Sequence, residues 1–131
     1  MHKFTVRTKT RTELVEVTAE VREAVRAAGV RSGGCVVYCP HTTAAVTVQE
    51  NADPDVVRDL LLWINEAVPK DVSGFRHAEG NSDAHIKTSL VGPSVTLLID
   101  GGDLVLGTWQ GVYFCEFDGP RSRTLMVQVL G

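Results

Sequence analysis

The chain has 131 residues, 44% hydrophobic and 22% charged, with a formal net charge of −3. That length suits one domain spanning residues 1–131 with a real core, and the composition excludes a disordered chain and lacks the basic excess of a nucleic-acid binder. No apolar run reaches the roughly 20 residues of a membrane span, and Cys35, Cys39 and Cys115 lie in apolar stretches without metal-knuckle or redox spacing, so buried reduced thiols in a cytoplasmic protein are expected.

The start, Met1 to Thr10, alternates apolar and polar residues and reads as a first strand carrying Phe4 and Val6, not as a signal peptide. Leu14 to Val17 is a second short extended segment. Thr18 is placed to cap a helix running to about Ala28, with Val21, Val25 and Ala28 on one face and Gly29 at the stop. Gly33-Gly34 opens a strand from Cys35 to Cys39, which Pro40 interrupts, and Ala45 to Gln49 resumes the extended pattern. Asp53-Pro54 is a cap-and-first-turn pair, and Val57, Leu60, Leu61, Ile64 and Val68 follow at helical spacing until Pro69, with Trp63 at the border of the stripe.

Asp71 to Ser89 is polar and without clear period, so it reads as a long irregular segment with a functional reason to exist. Ser94 to Asp100 is an apolar strand. Gly101-Gly102 turns the chain back into Leu104 to Leu106. Val112–Phe117 and Arg123–Val129 are two further strands joined by the turn Asp118-Gly119-Pro120-Arg121. Seven or eight strands and two main helices, with the last third all strand, predict an α+β fold built on mostly antiparallel sheet.

Chemistry concentrates in a few segments. His41 follows Pro40, between a strand end and the hydroxyls of Thr42 and Thr43. His77 and His85 lie eight apart and flank Glu79, Asn81, Ser82 and Asp83, which supply acceptors able to orient imidazoles, while Gly80 lets the backbone bend. Three imidazoles with an open fourth position would form the ligand set of a catalytic divalent metal such as zinc. A metal-free arrangement competes with it: one histidine as general acid or base, with Glu79 or Asp83 setting its tautomer. Asn51 makes the turn before the second helix and lies close enough in sequence to reach the same cavity. In Gly107-Thr108-Trp109-Gln110-Gly111, Trp109 either plugs the core or stacks on a planar ring, and Gln110 offers a donor and an acceptor to a heterocycle edge. Arg121 either closes a turn or clamps a phosphate, and Lys87 is the cation nearest the histidines along the chain. Neither a phosphate-binding P-loop nor a nucleophile elbow is present in the sequence.

Taken in order, Pro40-His-Thr-Thr-Ala, Glu50-Asn, Asp53-Pro-Asp, His77, Glu79-Gly-Asn, Ala84-His-Ile-Lys, Gly107-Thr-Trp-Gln-Gly and Asp118-Gly-Pro-Arg make a pattern that strongly resembles the YjbQ-like family, known as secondary thiamine-phosphate synthases. The resemblance runs from Phe4 to Gly131. It implies a compact α+β fold, a homotrimer, and a histidine-lined pocket acting as a metal or anion site. It implies an activity that joins a pyrimidine-methyl pyrophosphate to a thiazole phosphate and releases pyrophosphate. Carried over motif by motif, the pocket would contain His41, Asn51, His77, Glu79, His85 and Gln110. On this reading His41, Glu79 and His85 are the catalytic candidates, and His41, His77 and His85 the metal ligands. Thr42, Asn51, Lys87, Trp109, Gln110 and Arg121 then meet a small phosphorylated metabolite. The alternatives are a metal- or anion-binding trimer without catalysis and a hydrolase acting on a small phosphorylated metabolite.

Overall fold

The computed structural model describes all 131 residues and contains eight strands and three helices. One sheet has five strands in the order β1-β8-β3-β5-β6. These are β1 (His2–Arg7), β3 (Ser32–Tyr38), β5 (Ser94–Asp100), β6 (Asp103–Leu104) and β8 (Ser122–Leu130). The second sheet has the order β2-β7-β4, from β2 (Glu13–Glu16), β7 (Gln110–Glu116) and β4 (Ala44–Glu50). Every ladder is antiparallel, as expected of an α+β fold of this class.

Side-chain alternation along β4 and β7 sorts the residues into two cores. Ala44, Val46, Val112 and Phe114 point into the space between the sheets, where they meet Val37, Leu125, Val127 and the inner face of α1 (Thr18–Ala28). Ala45 and Cys115 point the other way and pack under Ile64 of α2 (Pro54–Ala67) and Ala84 of α3 (Ser82–Val91). The three-stranded sheet is thus covered on both faces, and each Phe, Leu or Val buried there contributes about 1.5–3 kcal/mol. All three cysteines are free and buried. No helix is long and apolar enough to cross a membrane.

Local chemistry accounts for most element ends. Asp53 caps α2 by accepting a hydrogen bond from the Asp55 amide at 2.9 Å, and Pro54 takes the first helical position. Gly29 ends α1 at φ 69°, in the left-handed region that only glycine occupies freely. Thr18 is the first residue of α1, not its cap. Its hydroxyl donates to Glu16 Oε2 and accepts from the Val112 amide, tying the helix start to β2 and β7. The expected return strand after Gly101-Gly102 is only two residues long.

The largest difference from expectation is α3. Residues 82–91 form a helix where no apolar period is visible, because the face it turns inward is polar: Asp83, Ala84, Lys87 and Thr88 are its buried residues. Asp83 and Lys87 stand one turn apart and pair at 2.8 Å, a side-chain spacing that favours a helix. The irregular segment therefore shrinks to the chain between α2 and Asn81.

Candidate functional site

The polar residues singled out in the sequence fall into three places. The first lies at the end of the sandwich where Ala44 pairs with Glu116. Glu116 is completely buried and forms an ion pair with Arg123, itself 3% exposed. Thr8 Oγ1 donates to Glu116 Oε1, and Arg123 Nη2 donates to Thr43 Oγ1 at 2.9 Å. Burial pushes the Glu116 carboxyl up, but hydrogen bonds from Arg123, the Asp118 amide and Thr8, with the Arg123 charge, outweigh it and lower its pKa. A charged residue inside the apolar run from Val112 to Phe117 was the visible sign of this pair.

His41 belongs to this first place. Its Nε2 accepts a hydrogen bond from the Thr124 amide at 2.9 Å, and its ring meets Phe114 edge-on at a centroid distance of 6.5 Å. Burial, then the Arg123 charge, lowers its pKa, so the neutral ring is favoured. A ring nitrogen that accepts from a backbone amide has spent its lone pair and cannot bind a metal at the same time. Thr42, next to it, is exposed.

The second place is the outer layer around α3. Asp83 is fully buried and holds Arg11 through two bonds of 2.9 and 3.0 Å and Lys87 at 2.8 Å; Lys87 also donates to Asn65 Oδ1 at 2.9 Å. Burial would raise the Asp83 pKa, but the hydrogen bonds from Arg11 and Lys87 and their charges bring it down to about 2. Lys87, expected to meet a substrate, is 1% exposed and committed to these partners. Asn81 donates to Asp118 Oδ2 at 2.8 Å, and Arg121 returns to Asp118 through its carbonyl and carboxylate. Arg121 therefore closes its own turn, although half of its side chain stays exposed.

Above this buried layer lie the other two histidines. The rings of His77 and His85 stand edge to face with centroids 5.2 Å apart. With Phe75, Ser82 and Ile86 they line a shallow cleft of about 420 Å³. An adjoining cleft of about 330 Å³ shares Phe75, His77 and Ser82 and is bordered by Lys70 and Gly80. Ser82 is the first residue of α3, so both clefts open beside the positive end of a helix. Glu79 lies 3.8 Å from His77 Nε2, at ion-pair distance and exposed. Phe75 agrees with the expectation of a flat aromatic wall for a ring, whereas Ile86 carried no signal of its own in the sequence.

The third place is the opposite end of the three-stranded sheet, where Glu50 pairs with Gln110. The Asn51 amide donates to the Trp109 carbonyl at 2.9 Å, and Asn51 Nδ2 donates to Glu16 Oε2 at 3.0 Å. A Cβ on Gly111 would lie 2.8 Å from Asn51 Nδ2 and 2.9 Å from Glu16 Oε2, so a side chain here would displace that pair. Gln110 Oε1 accepts from the Gly107 amide at 2.8 Å, curling the loop so that Trp109 projects 61% exposed. Trp109 does not plug the core.

The expected trio of histidines is therefore divided within one chain. His77 and His85 come together, whereas His41 contacts Phe114, whose ring faces the space between the sheets, the opposite face from the one α3 covers. No three His, Cys, Asp or Glu side chains of a single chain are grouped closely enough to hold a metal ion. The donor set of one chain does not fit the divalent ion that the three-histidine reading requires.

Comparison with known proteins agrees with this architecture. The family described as UPF0047 protein YjbQ-like matches residues 2–131. The UPF0047 protein YugU of Bacillus subtilis is 48% identical over 126 residues, covering 96% of each chain. The UPF0047 protein MJ1081 of Methanocaldococcus jannaschii is 47% identical over 131 residues, covering 100% of this chain and 94% of its own. A crystal structure of an uncharacterized YjbQ/UPF0047 family protein from Clostridium acetobutylicum superposes with a TM-score of 0.96 at 48% identity, covering 99% of this chain and 100% of that one. A YbjQ-like protein of unknown function from Sulfolobus solfataricus does so with a TM-score of 0.94 at 32% identity, covering 99% and 95%. The chain belongs to the UPF0047 (YjbQ-like) family.

Proposed function

We propose that the chain is a thiamine-phosphate synthase-like transferase, joining a pyrimidine-methyl pyrophosphate to a thiazole phosphate at the His77–His85 cleft and working as a homotrimer. The observation that carries this reading is the pair of imidazoles 5.2 Å apart beside the start of α3, with the exposed ring of Phe75 on the same cleft wall. In the reaction the thiazole nitrogen lone pair forms a C–N bond to the methylene carbon. The C–O bond to pyrophosphate breaks, and its electron pair leaves on the pyrophosphate oxygen. No proton has to move; the task is to neutralise a growing negative charge. His77 and His85 donate to the departing oxygens, the free amides at the start of α3 add their dipole, and Lys70 waits in the adjoining cleft. Phe75 offers a flat apolar wall to the pyrimidine. Glu79, 3.8 Å from His77 Nε2, is the carboxylate nearest that ring. His41 orients β8 through Thr124 and does not touch the substrate. A divalent ion such as zinc would need donors beyond His77 and His85, so no step is assigned to one.

Purified protein incubated with both precursors should form thiamine phosphate, and His85→Ala should lower the rate by about 10² or more. Equal turnover by wild type and the His77→Ala, His85→Ala double variant would remove the assignment. Release of phosphate from simple phosphate esters without C–N bond formation would replace it with a hydrolase. Light scattering at micromolar concentration checks the trimer.

A further inference from the structure

The residues expected to surround one substrate occupy two ends of the same sheet. The histidine cleft lies beside the start of α3, near Phe117 and Asp118, while Asn51, Trp109 and Gln110 lie at the Glu50 end of β4. β4 alone spans roughly 20 Å between those ends, so no small ligand bound to one chain touches both.

The two ends are complementary in character. Around Trp109, the segments 49–55 and 105–111 carry Glu50, Asp53 and Asp55 and no lysine or arginine, and Glu16 joins them through Asn51. Around the cleft, Asp83 is consumed by Arg11 and Lys87, and Asp71 lies 3.6 Å from Lys70. Arg76 and the two imidazoles remain against a single carboxylate, Glu79. Shape matches as well: a projecting indole at one end, an apolar-sided concavity lined by Phe75 and Ile86 at the other. Two different, mutually fitting patches on one surface give a head-to-tail contact, which closes into a ring when the rotation allows.

We infer that a second copy of this chain docks its Trp109 loop beside the His77–His85 cleft, so that each substrate site is built from two chains. The neighbour contributes Trp109 and Gln110 as the second wall and polar edge, and its Glu16 and Glu50 face the cationic side of the cleft. This deepens the proposed function: the histidines receive the leaving anion, and the acidic, aromatic end from the neighbour suits the ring that becomes cationic as the C–N bond forms.

The decisive experiment does not depend on activity. One differently tagged chain carries Trp109→Cys and the other Ile86→Cys; the three native cysteines are buried and do not compete. After mixing and treatment with a short thiol cross-linker, a covalent dimer containing both tags is expected. Neither variant alone should give one. Absence of the mixed dimer from two folded variants, or its equal formation in either variant alone, overturns the proposal, as does a monomer by light scattering. A second arm uses His85→Ala and Trp109→Ala, each expected to be inactive in thiamine phosphate formation. Co-refolded in equal amounts they should recover about a quarter of the wild-type rate, since about one interface in four then joins two intact halves. No recovery from a wild type that is active places the site within one chain. An inactive wild type that still cross-links removes the synthase reading and leaves the shared site standing.

Discussion

The layer beneath α3 and the surface above it put polar side chains of one helix to opposite ends. Beneath, the buried Asp83 and Lys87 satisfy each other, with the half-buried Arg11 and Asn65 completing their hydrogen bonds. Above, on the opposite face of the same helix, His85 faces His77 across an open cleft. The Glu116–Arg123 pair repeats the first arrangement between the sheets. Within a run such as Ala84-His-Ile-Lys, adjacent residues thus serve different tasks: Ala84 and Lys87 position the helix, and His85 and Ile86 remain free to meet a ligand or a neighbouring chain. Buried charges whose loss strands a partner should dominate stability, and the exposed imidazoles should dominate chemistry.

The strongest test of that division is Glu116→Ala. It leaves Arg123 buried without a counter-charge and should cost about 3–5 kcal/mol in urea unfolding. An effect below 1 kcal/mol, on the scale of an ordinary surface pair, would mean that the pair does not organise the sandwich end. Asp83→Ala strands Lys87 in the same way. A loss of about 3 kcal/mol is expected, because the partly exposed Arg11 can turn to water.

Acid should expose the same dependence. The Asp83 carboxyl ionises at about 2 in the folded chain against an ordinary 3.8. A depressed carboxylate stabilises the fold fully above its unfolded value and loses that contribution as pH falls through the folded one. Stability should therefore drop between about pH 4 and pH 2, and Asp83→Asn should remove that part of the slope. His41 acts in a milder window. Its folded pKa lies below the ordinary 6.5, so the unfolded chain takes up a proton first as pH falls. Stability should decline below pH 6.5, against Arg123, Arg121 and Glu116 facing the ring, and His41→Gln should flatten the decline. A profile unchanged by that variant would show that burial and the Arg123 charge do not disfavour the protonated ring. The smallest stability effect belongs to His85→Ala, within about 0.5 kcal/mol, although its turnover should collapse. A large destabilisation would place His85 with the buried layer instead.

Much of the architecture was legible along the chain. The alternation in Phe4–Val6, the run Val95–Ile99 and the Asp53-Pro54 start each map onto β1, β5 and α2, because strand pleating and helix capping are local properties. The helix at 82–91 was not legible, since its inward face is ionic and an apolar period has nothing to register. Among the candidate site residues, pairing of His77 with His85 agrees with their shared segment. Lys87 and His41 read as ligands because their side chains are capable of that role; their partners, Asp83 and the Thr124 amide, come from pairings that composition does not disclose.

Residue order alone settled the kind of molecule: seven or eight short β segments, a capped amphipathic helix, and a set of spaced motifs that marks the family. Which polar groups are spent inside and which stay available was settled by packing. β4 and β7 of the small sheet have two buried faces, so a shift of a single position moves a side chain between the sandwich interior and the helical layer. That alternation sets His41 against Phe114 and leaves the other two rings on the far side. The distance between the imidazoles is a consequence of which face each strand presents, a property of the assembled layers and not of any one segment.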